Sequence, residues 1–445
     1  MKFFGVVIVF LCLIATSCEG AGKLIDVDKS ASTNKAIRLV TMLACEDFVA
    51  VTDQFDSNMK CELPAGKLKL AWTSLIAQAG VFKKQVSTRT EEMPSHDVVL
   101  VTCEFEKLTA DVKIVFDSNQ HVSGLFIVPH QEKADDSVPL YAKPILFCEK
   151  KVTVGSGEWT LPGTLTIPKG KGPFPVVVLV QGSGPQDRDE TVGANKPFRD
   201  IALGLSTRGI AVLRYDKRTR VYPSRMASMQ NITVNDETVD DALSAVCLLR
   251  ATDCIDKNRI FVLGHSLGGM LLPRIGQADP RIAGFVMLAG TARPLEDVLL
   301  EQIEYISSIG GDITDEQKAR IIAIKGQVDR VKDPQLLPTS PGMILGAPPS
   351  YWLDLRKYDA PKVAKCLKQP MLVLQGERDY QVTTRDFDLW KKFLSARANV
   401  QFRLYMNLNH LFIAGQGKST PSEYELAGHV DELVIRDIAC WIKAH

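Results

Sequence analysis

A serine flanked by glycines follows a short apolar run, and this arrangement strongly limits the possible folds. Residues 262–269 read Val-Leu-Gly-His-Ser-Leu-Gly-Gly, which contains a Gly-x-Ser-x-Gly motif made by Gly264, Ser266 and Gly268. Because glycine has no Cβ, it allows a strand to turn sharply into a helix and leaves the serine hydroxyl exposed. The motif therefore predicts a nucleophilic Ser266 at the end of a strand in an α/β sheet.

Two candidate partners of Ser266 follow further along the chain. The apolar run 371–374 leads into a loop that contains Asp379, and the alternating run 402–406 leads into a loop that contains His410. In open parallel sheets, catalytic side chains lie just beyond the carboxyl ends of the strands. The order Ser, Asp, His predicts Ser266 as nucleophile, His410 as general base and then acid, and Asp379 as the group that orients the imidazole.

Other residues compete for these roles. Glu377 lies two positions before Asp379 and is the first alternative acid, and Asp386 and Asp388 also lie nearby. His265 is adjacent to the nucleophile, but its side chain leaves the turn in another direction, so we expect it to pack. His429 precedes a C-terminal amphipathic segment and is expected on the surface.

Two backbone amides are candidates for stabilising a negatively charged oxygen in the transition state. One is the N–H of Leu267, the residue after the nucleophile. The second is the N–H of Ser183, in the loop Gln-Gly-Ser-Gly-Pro that follows the apolar run 174–180. The alternative interpretation of this loop is an ordinary Gly/Pro turn. Nearby, Arg188 and Asp189 are expected to brace the loop by pairing with each other, with holding a substrate as the alternative.

The segment from about residue 147 to 445 resembles the α/β-hydrolase superfamily. It carries segments typical of bacterial-type serine esterases, at 182–185 with 187–189, at 264–269 and at 409–412. Residues 30–129 resemble a small domain of unknown function, DUF3887, which often precedes such hydrolases. The resemblance implies an esterase with a Ser-His-Asp triad. Gln181 departs from the His that many members of the wider superfamily have there, a residue that supports the loop and performs no chemistry.

The sequence predicts two domains and a linker. Helices are expected at 30–51 and 63–79, then strands at 98–105, 111–116 and 122–128, giving a small α+β domain of cystatin-like or NTF2-like type at about 30–130. Its role is interpreted as packing or secretion, with ligand binding as the alternative. The remaining boundaries are a polar linker at 131–146, a hydrolase domain with a mostly parallel, doubly wound sheet at 147–445, and a helical lid at about 291–365.

The first 20 residues have the pattern of a secretory signal peptide. A lysine at position 2 precedes an apolar stretch, and small residues follow it. We therefore expect a secreted, periplasmic or otherwise extracytoplasmic protein. Cys18 weakly resembles a lipoprotein cleavage site, so lipid anchoring is the alternative. No later apolar run reaches 18 residues, and no stable membrane span is expected after removal of the signal.

The amino-acid composition limits the kinds of partner and cofactor that can be expected. The 445 residues are 45% hydrophobic and 24% charged with a formal net charge of +1, which does not favour nucleic acid. No Cys-x-x-Cys or His-Glu-x-x-His pattern occurs, so no metal or cofactor is predicted. The eight cysteines after the leader permit disulfides without defining their pairing. The expected partner is a small-molecule ester, and the oligomeric state stays open.

These features predict a serine hydrolase that cleaves carboxylic esters through an acyl-enzyme intermediate. The same triad also serves peptidases, thioester hydrolases and acyltransferases. A non-catalytic ligand-binding protein is the alternative from another class.

Overall fold

The computed structural model describes residues 29–93, 96–130, 137–229 and 231–445. The predicted signal peptide at 1–20 and the lipidation candidate Cys18 lie outside the described residues. The chain divides into two compact units, at 1–132 and 133–445. We call them the small unit and the large unit.

In its described residues, the small unit combines four helices with an antiparallel meander. The sheet order is β1-β2-β3-β4, so each strand pairs with its neighbour in sequence. The elements are α1 (Lys29–Ala44), α2 (Phe48–Asp53), α3 (Ser57–Glu62), α4 (Ala65–Ala79), β1 (Phe82–Met93), β2 (His96–Phe105), β3 (Thr109–Phe116) and β4 (Val122–Pro129).

Two sequence expectations for the small unit were wrong. The single helix predicted at 30–51 is interrupted, because Glu46 adopts a positive φ of 58° and Asp47 caps a new helix by accepting from the Ala50 N–H. The strand β1 was also missed, since its polar sequence gives little apolar alternation. Apolar side chains of the helices and of alternate positions in β2 and β3 form one core between helices and sheet.

The large unit is built on an eight-stranded sheet. Strand order is β12-β11-β10-β9-β7-β8-β6-β5, with β7–β12 parallel and β5 and β6 antiparallel at one edge. The strands are β5 (Phe147–Val154), β6 (Leu161–Pro168), β7 (Phe174–Val180), β8 (Ala211–Tyr215), β9 (Ile255–His265), β10 (Gly284–Leu288), β11 (Met371–Gly376) and β12 (Val400–Tyr405).

Both faces of this sheet are covered. In β7, Val176, Val178 and Val180 join the core on one face, while Val177 and Leu179 join the core on the other. A strand buried on both faces reads as a continuous apolar run, which explains why the sequence located it. The predicted α/β class, with helices on both sides of a mostly parallel sheet, is confirmed.

Helices connect the strands of the large unit and cover its sheet. They are α5 (Pro197–Thr207), α6 (Arg218–Val221), α7 (Pro223–Ser228), α8 (Asp240–Arg250), α9 (Leu267–Ala278), α10 (Leu295–Ser308), α11 (Asp315–Lys332), α12 (Pro349–Arg356), α13 (Ala360–Cys366), α14 (Thr384–Leu394) and α15 (Glu432–Ala444).

The segment predicted as a lid contains α10 to α13. Its first turn is fixed by the buried carboxylate of Asp386, which accepts from the Thr291 hydroxyl, the Ala292 N–H and the Arg293 guanidinium. Tyr351 and Trp352 of α12 are buried in the core of the large unit. These two aromatic residues therefore stabilise the insertion rather than line an open pocket.

The described residues also answer two compositional questions. The eight cysteines at 45, 61, 103, 148, 247, 254, 366 and 440 are free thiols in the described part of the chain. No helix there combines the length and apolarity needed to cross a bilayer.

Candidate active site

Ser266 occupies the sharp turn between β9 and α9. Its backbone has φ 54° and ψ −117°, a conformation that costs energy for a residue with a Cβ. The turn is possible because two glycines allow close approach: a Cβ at Gly264 would lie 2.3 Å from the Gly268 carbonyl oxygen, and one at Gly268 would lie 2.3 Å from that of Val180. The Ser266 N–H donates to the Leu288 carbonyl at 2.9 Å and ties the turn to β10. The sequence prediction of a strained turn is confirmed.

Asp379 lies in the loop after β11 with every carboxylate oxygen bonded. Its Oδ1 accepts from the N–H groups of Gln381 at 2.8 Å and Val382 at 3.0 Å. Its Oδ2 accepts from Nε2 of Gln375 at 3.1 Å and lies 2.7 Å from Nδ1 of His410. Asp379 is 4% exposed. These bonds fix the carboxylate in one orientation, whereas the alternative acid, Glu377, is exposed.

His410 lies in the loop after β12, the strand beside β11. The two loops meet because Gly376 has no side chain; a Cβ there would lie 2.4 Å from the Leu408 carbonyl oxygen. Asn409 shapes the turn by accepting the N–H groups of Leu411 at 3.0 Å and Ile413 at 3.1 Å. Since a carboxylate can only accept, Nδ1 of His410 carries the proton toward Asp379, and Nε2 is left to accept.

His265, the residue before Ser266, contacts His410. The His265 and His410 rings have centroids 4.5 Å apart, and Nε2 of His265 donates to the His410 carbonyl at 3.0 Å. Among the hydrogen bonds of the described residues, none joins the Ser266 hydroxyl to the His410 imidazole. Catalytic hydrogen bonds are often long in ligand-free proteins and shorten when substrate binds.

His265 is buried as predicted, and it also carries a charge relationship that the sequence did not indicate. Its Nδ1 lies 3.0 Å from Oε2 of Glu190, close enough for an ion pair although off the line of a hydrogen bond. Burial lowers the His265 pKa, but the nearby Glu190 carboxylate and the hydrogen bond to the His410 carbonyl outweigh it, so the pKa is raised. A carboxylate thus lies against the imidazole of the residue that precedes Ser266.

The loop after β7, where the Ser183 amide was predicted to act, passes close to Ser266. A Cβ at Gly182 would lie 3.1 Å from the Ser266 Cβ. The Gly182 N–H donates to Oε1 of Glu190 at 2.6 Å, and its carbonyl accepts from Nζ of Lys217 at 2.7 Å. Within the described residues, no hydrogen bond is donated by the N–H of Ser183 or of Leu267.

The expected pairing of Arg188 with Asp189 was wrong. Arg188 donates to Asp216 from both Nε, at 2.9 Å, and Nη2, at 2.7 Å, while Asp189 pairs with Arg214. Adjacent residues in this loop point to different partners, so the loop is braced twice against the segment that begins with β8. Both residues do brace the loop, as expected, but they do so through Asp216 and Arg214 and not through each other.

Two buried charged residues of the site, Glu190 and Lys217, were not predicted. Glu190 is 2% exposed and has a φ of 52°, while Lys217 is 1% exposed. Glu190 follows Asp-Arg-Asp in the sequence and Lys217 follows Arg-Tyr-Asp, so each is hidden in a charged run that is typical of a solvated loop. The signal available was position, since both follow strands whose carboxyl ends face the site.

Sequence comparison assigns this site to a family. The model described as Alpha/beta hydrolase family matches residues 177–430, and the model of a protein of unknown function, DUF3887, matches residues 36–125. The chain belongs to the α/β-hydrolase family. It is similar to Esterase EstD of Thermotoga maritima, with 40% identity over 412 residues, covering 93% of this chain and 95% of that protein.

Two solved structures of lower similarity were also found. An esterase domain from a Rhodothermus marinus protein is 14% identical and covers 67% of this chain and 98% of its own, with a TM-score of 0.41. A puromycin-hydrolysing peptidase of Mycobacterium tuberculosis is 15% identical and covers 82% of this chain and 48% of its own, with a TM-score of 0.44. The family assignment depends on the sequence matches and not on these structures.

Proposed function

We propose that this protein is a carboxylic ester hydrolase that uses Ser266, His410 and Asp379 as a catalytic triad. The observation that carries the proposal is the buried 2.7 Å contact between His410 and Asp379 beside a strained serine turn. An aspartate bonded in this way holds the imidazole in the tautomer that can accept a proton from serine. The 40% identity to a protein named as an esterase supports the ester class.

In the proposed reaction, the Ser266 oxygen attacks the ester carbonyl while Nε2 of His410 takes its proton. The tetrahedral oxyanion is received by the N–H groups of Leu267 and Ser183. His410 then protonates the departing alkoxide. The alcohol leaves, and the acyl group stays on the Ser266 oxygen as an ester. Water attacks this ester while His410 takes its proton. His410 then returns the proton to the Ser266 oxygen as the acyl C–O bond breaks, so the carboxylic acid leaves and the Ser266 hydroxyl is restored. Asp379 stabilises the imidazolium that forms in each half.

The test is hydrolysis of p-nitrophenyl acetate by the wild type and by Ser266→Ala. We expect kcat to fall by about 10⁴-fold or more, because the nucleophile is gone and only binding and the oxyanion donors remain. Ser395→Ala, an exposed serine at the end of α14, serves as the matched control and should keep wild-type kcat. Substantial turnover by Ser266→Ala would exclude the proposed nucleophile.

The same preparations distinguish the reaction classes. A thioester and an aminoacyl p-nitroanilide are compared with the ester by kcat/KM, and the ester should be the best of the three. A higher value for the anilide or the thioester would reassign the enzyme to peptide or thioester cleavage on the same triad. Absence of turnover with all three in folded protein would favour a binding function.

A further inference from the structure

Lys217 is a buried cation for which the proposed reaction has no direct use. It lies just after β8, is 1% exposed, and its Nζ is 2.7 Å from the Gly182 carbonyl oxygen. Lysine is rarely buried this completely, because removing its ammonium from water is costly. A lysine buried in this way needs partners that offset the cost of desolvating its charge, or a function that justifies that cost.

The buried charge of Lys217 is offset by Glu237, which in turn is held by Tyr351 of α12. Oε1 of Glu237 lies 2.9 Å from the Lys217 ammonium, and Oε2 of Glu237 accepts from the Tyr351 hydroxyl at 2.8 Å. Glu237 lies in a single π-helical turn, Asn235–Val239, and such turns are frequent at functional sites. A buried ion pair is seldom better for stability than apolar residues of the same volume, so stability alone does not explain this one.

The position of the Lys217 bond offers an explanation. The Gly182 carbonyl and the Ser183 N–H belong to one trans peptide group, in which C=O and N–H point in opposite directions. Because Lys217 holds the carbonyl on one side, the Ser183 N–H is directed to the other. Glu190 holds the N–H of Gly182 itself. A cation on the carbonyl also polarises the peptide and makes its N–H a stronger donor.

We propose that Lys217 is a positioning residue of the oxyanion hole: its ammonium orients and polarises the Gly182–Ser183 peptide so that the Ser183 N–H binds the charge formed in the transition state. Glu237 and Tyr351 keep the ammonium in place. This inference depends on the proposed function, in which that N–H receives the oxyanion. The contribution belongs to the transition state and not to the bound substrate, whose carbonyl oxygen carries less charge.

The test uses the double variant Lys217→Met, Glu237→Gln in the full chain. Methionine matches the length of lysine without its charge, and glutamine still accepts from the Tyr351 hydroxyl, so no buried charge is left unpaired. Loss of a whole oxyanion donor costs about 10²–10³-fold in kcat. Misorientation of one should lower kcat for p-nitrophenyl acetate by about 10–100-fold, with KM within about threefold, since uniform binding is untouched.

A trifluoromethyl ketone gives a second readout. Ser266 adds to its carbonyl carbon, the hydroxyl proton passes to His410, and the former carbonyl oxygen becomes an oxyanion in the hole. For the double variant, Ki of this inhibitor should rise by the factor by which kcat/KM falls. A role in packing alone would not move the two values together.

Arg218→Met, Asp241→Asn is the matched control. Arg218 and Asp241 form the neighbouring buried ion pair and do not bond to Gly182. This control should lose comparable thermal stability and keep kcat. If the Lys217 double variant keeps kcat and Ki within about threefold while Ser266→Ala is inactive, the inference is overturned and the proposed function stands. If Ser266→Ala is active, the proposed function itself fails.

Discussion

The substitution Asp379→Asn changes one atom at the centre of the site and should nearly abolish turnover. Asn can keep its Oδ1 facing the N–H groups of Gln381 and Val382, which donate at 2.8 and 3.0 Å. Its amide NH₂ then replaces Oδ2 and faces Nδ1 of His410. Because two donors cannot bond, His410 must move its proton to Nε2, the nitrogen that should accept the proton of Ser266. The opposite amide orientation would set the NH₂ against two backbone donors and is less favourable.

The magnitude follows from the loss of the correct tautomer. The equivalent substitution in a Ser-His-Asp triad lowers kcat by about 10⁴-fold, or about 5 kcal/mol at about 1.4 kcal/mol per tenfold change. Folding should be largely retained, because asparagine has the volume of aspartate and two of the four bonds persist. The expected pattern is therefore a large loss of kcat with a modest loss of thermal stability.

The assay is steady-state hydrolysis of p-nitrophenyl acetate at pH 7–8, with thermal unfolding of the same samples. Glu377→Gln, an exposed carboxylate in the same loop, is the matched control and should stay within about twofold of wild type, as surface changes usually do. If Asp379→Asn retained kcat within tenfold, the reasoning about the tautomer would be refuted. A large loss in Glu377→Gln would instead identify that residue as the acid.

Three further predictions concern the residues that shape the site. Gly268→Ala places a Cβ 2.3 Å from the Val180 carbonyl oxygen. Thermal unfolding should therefore show about 1–3 kcal/mol of destabilisation, and kcat should fall about 100-fold because Ser266 is displaced. An unchanged melting temperature would show that the turn tolerates a side chain. Asn409→Ala leaves two backbone N–H groups without their acceptor and should cost about 1–3 kcal/mol with a measurable loss of kcat, whereas wild-type values for both would contradict the role given to this turn. Glu190→Gln removes the charge that raises the His265 pKa. A His pKa that is raised in the folded state gives stability that is complete below the unfolded value of about 6.5 and is lost as pH rises through the folded value. The difference in melting temperature between wild type and Glu190→Gln should therefore be largest below about pH 6.5 and should shrink at higher pH. A difference that grows with pH would show that the pair is not charged.

The framework of the large unit could be predicted because its sequence signals are local. A strand such as β7 is buried on both faces and reads as an uninterrupted apolar run, and Gly264 and Gly268 mark a turn that a Cβ would block. Placing Asp379 and His410 beyond two strands required only that parallel strands end at one edge of the sheet. Strand β1 of the small unit was missed because its polar residues give a weak period-two pattern.

The buried charged residues behind the predicted triad could not be predicted, since their positions depend on which distant loops meet. Glu190 and Lys217 look like solvated loop residues in the sequence, yet both are buried and hold opposite sides of Gly182. The partners of Arg188 were misassigned for the same reason: a neighbouring charge in sequence is less accessible to a side chain than Asp216, which the fold brings beside it. Long-range pairing requires the topology and the register as well as the motif.

The proposed triad requires that one serine hydroxyl, that of Ser266, is activated to act as a nucleophile. The most direct measurement is to react the full chain with a fluorophosphonate, digest it, and locate the adduct by mass spectrometry. Serine displaces fluoride from phosphorus and the proton leaves through the base, so an activated serine keeps the phosphonyl group. We expect one adduct on the peptide that contains Ser266, with labelling slowed by several orders of magnitude in Asp379→Asn. An adduct on a different residue in enzyme that hydrolyses esters, or equally fast labelling in Asp379→Asn, would contradict the proposed triad.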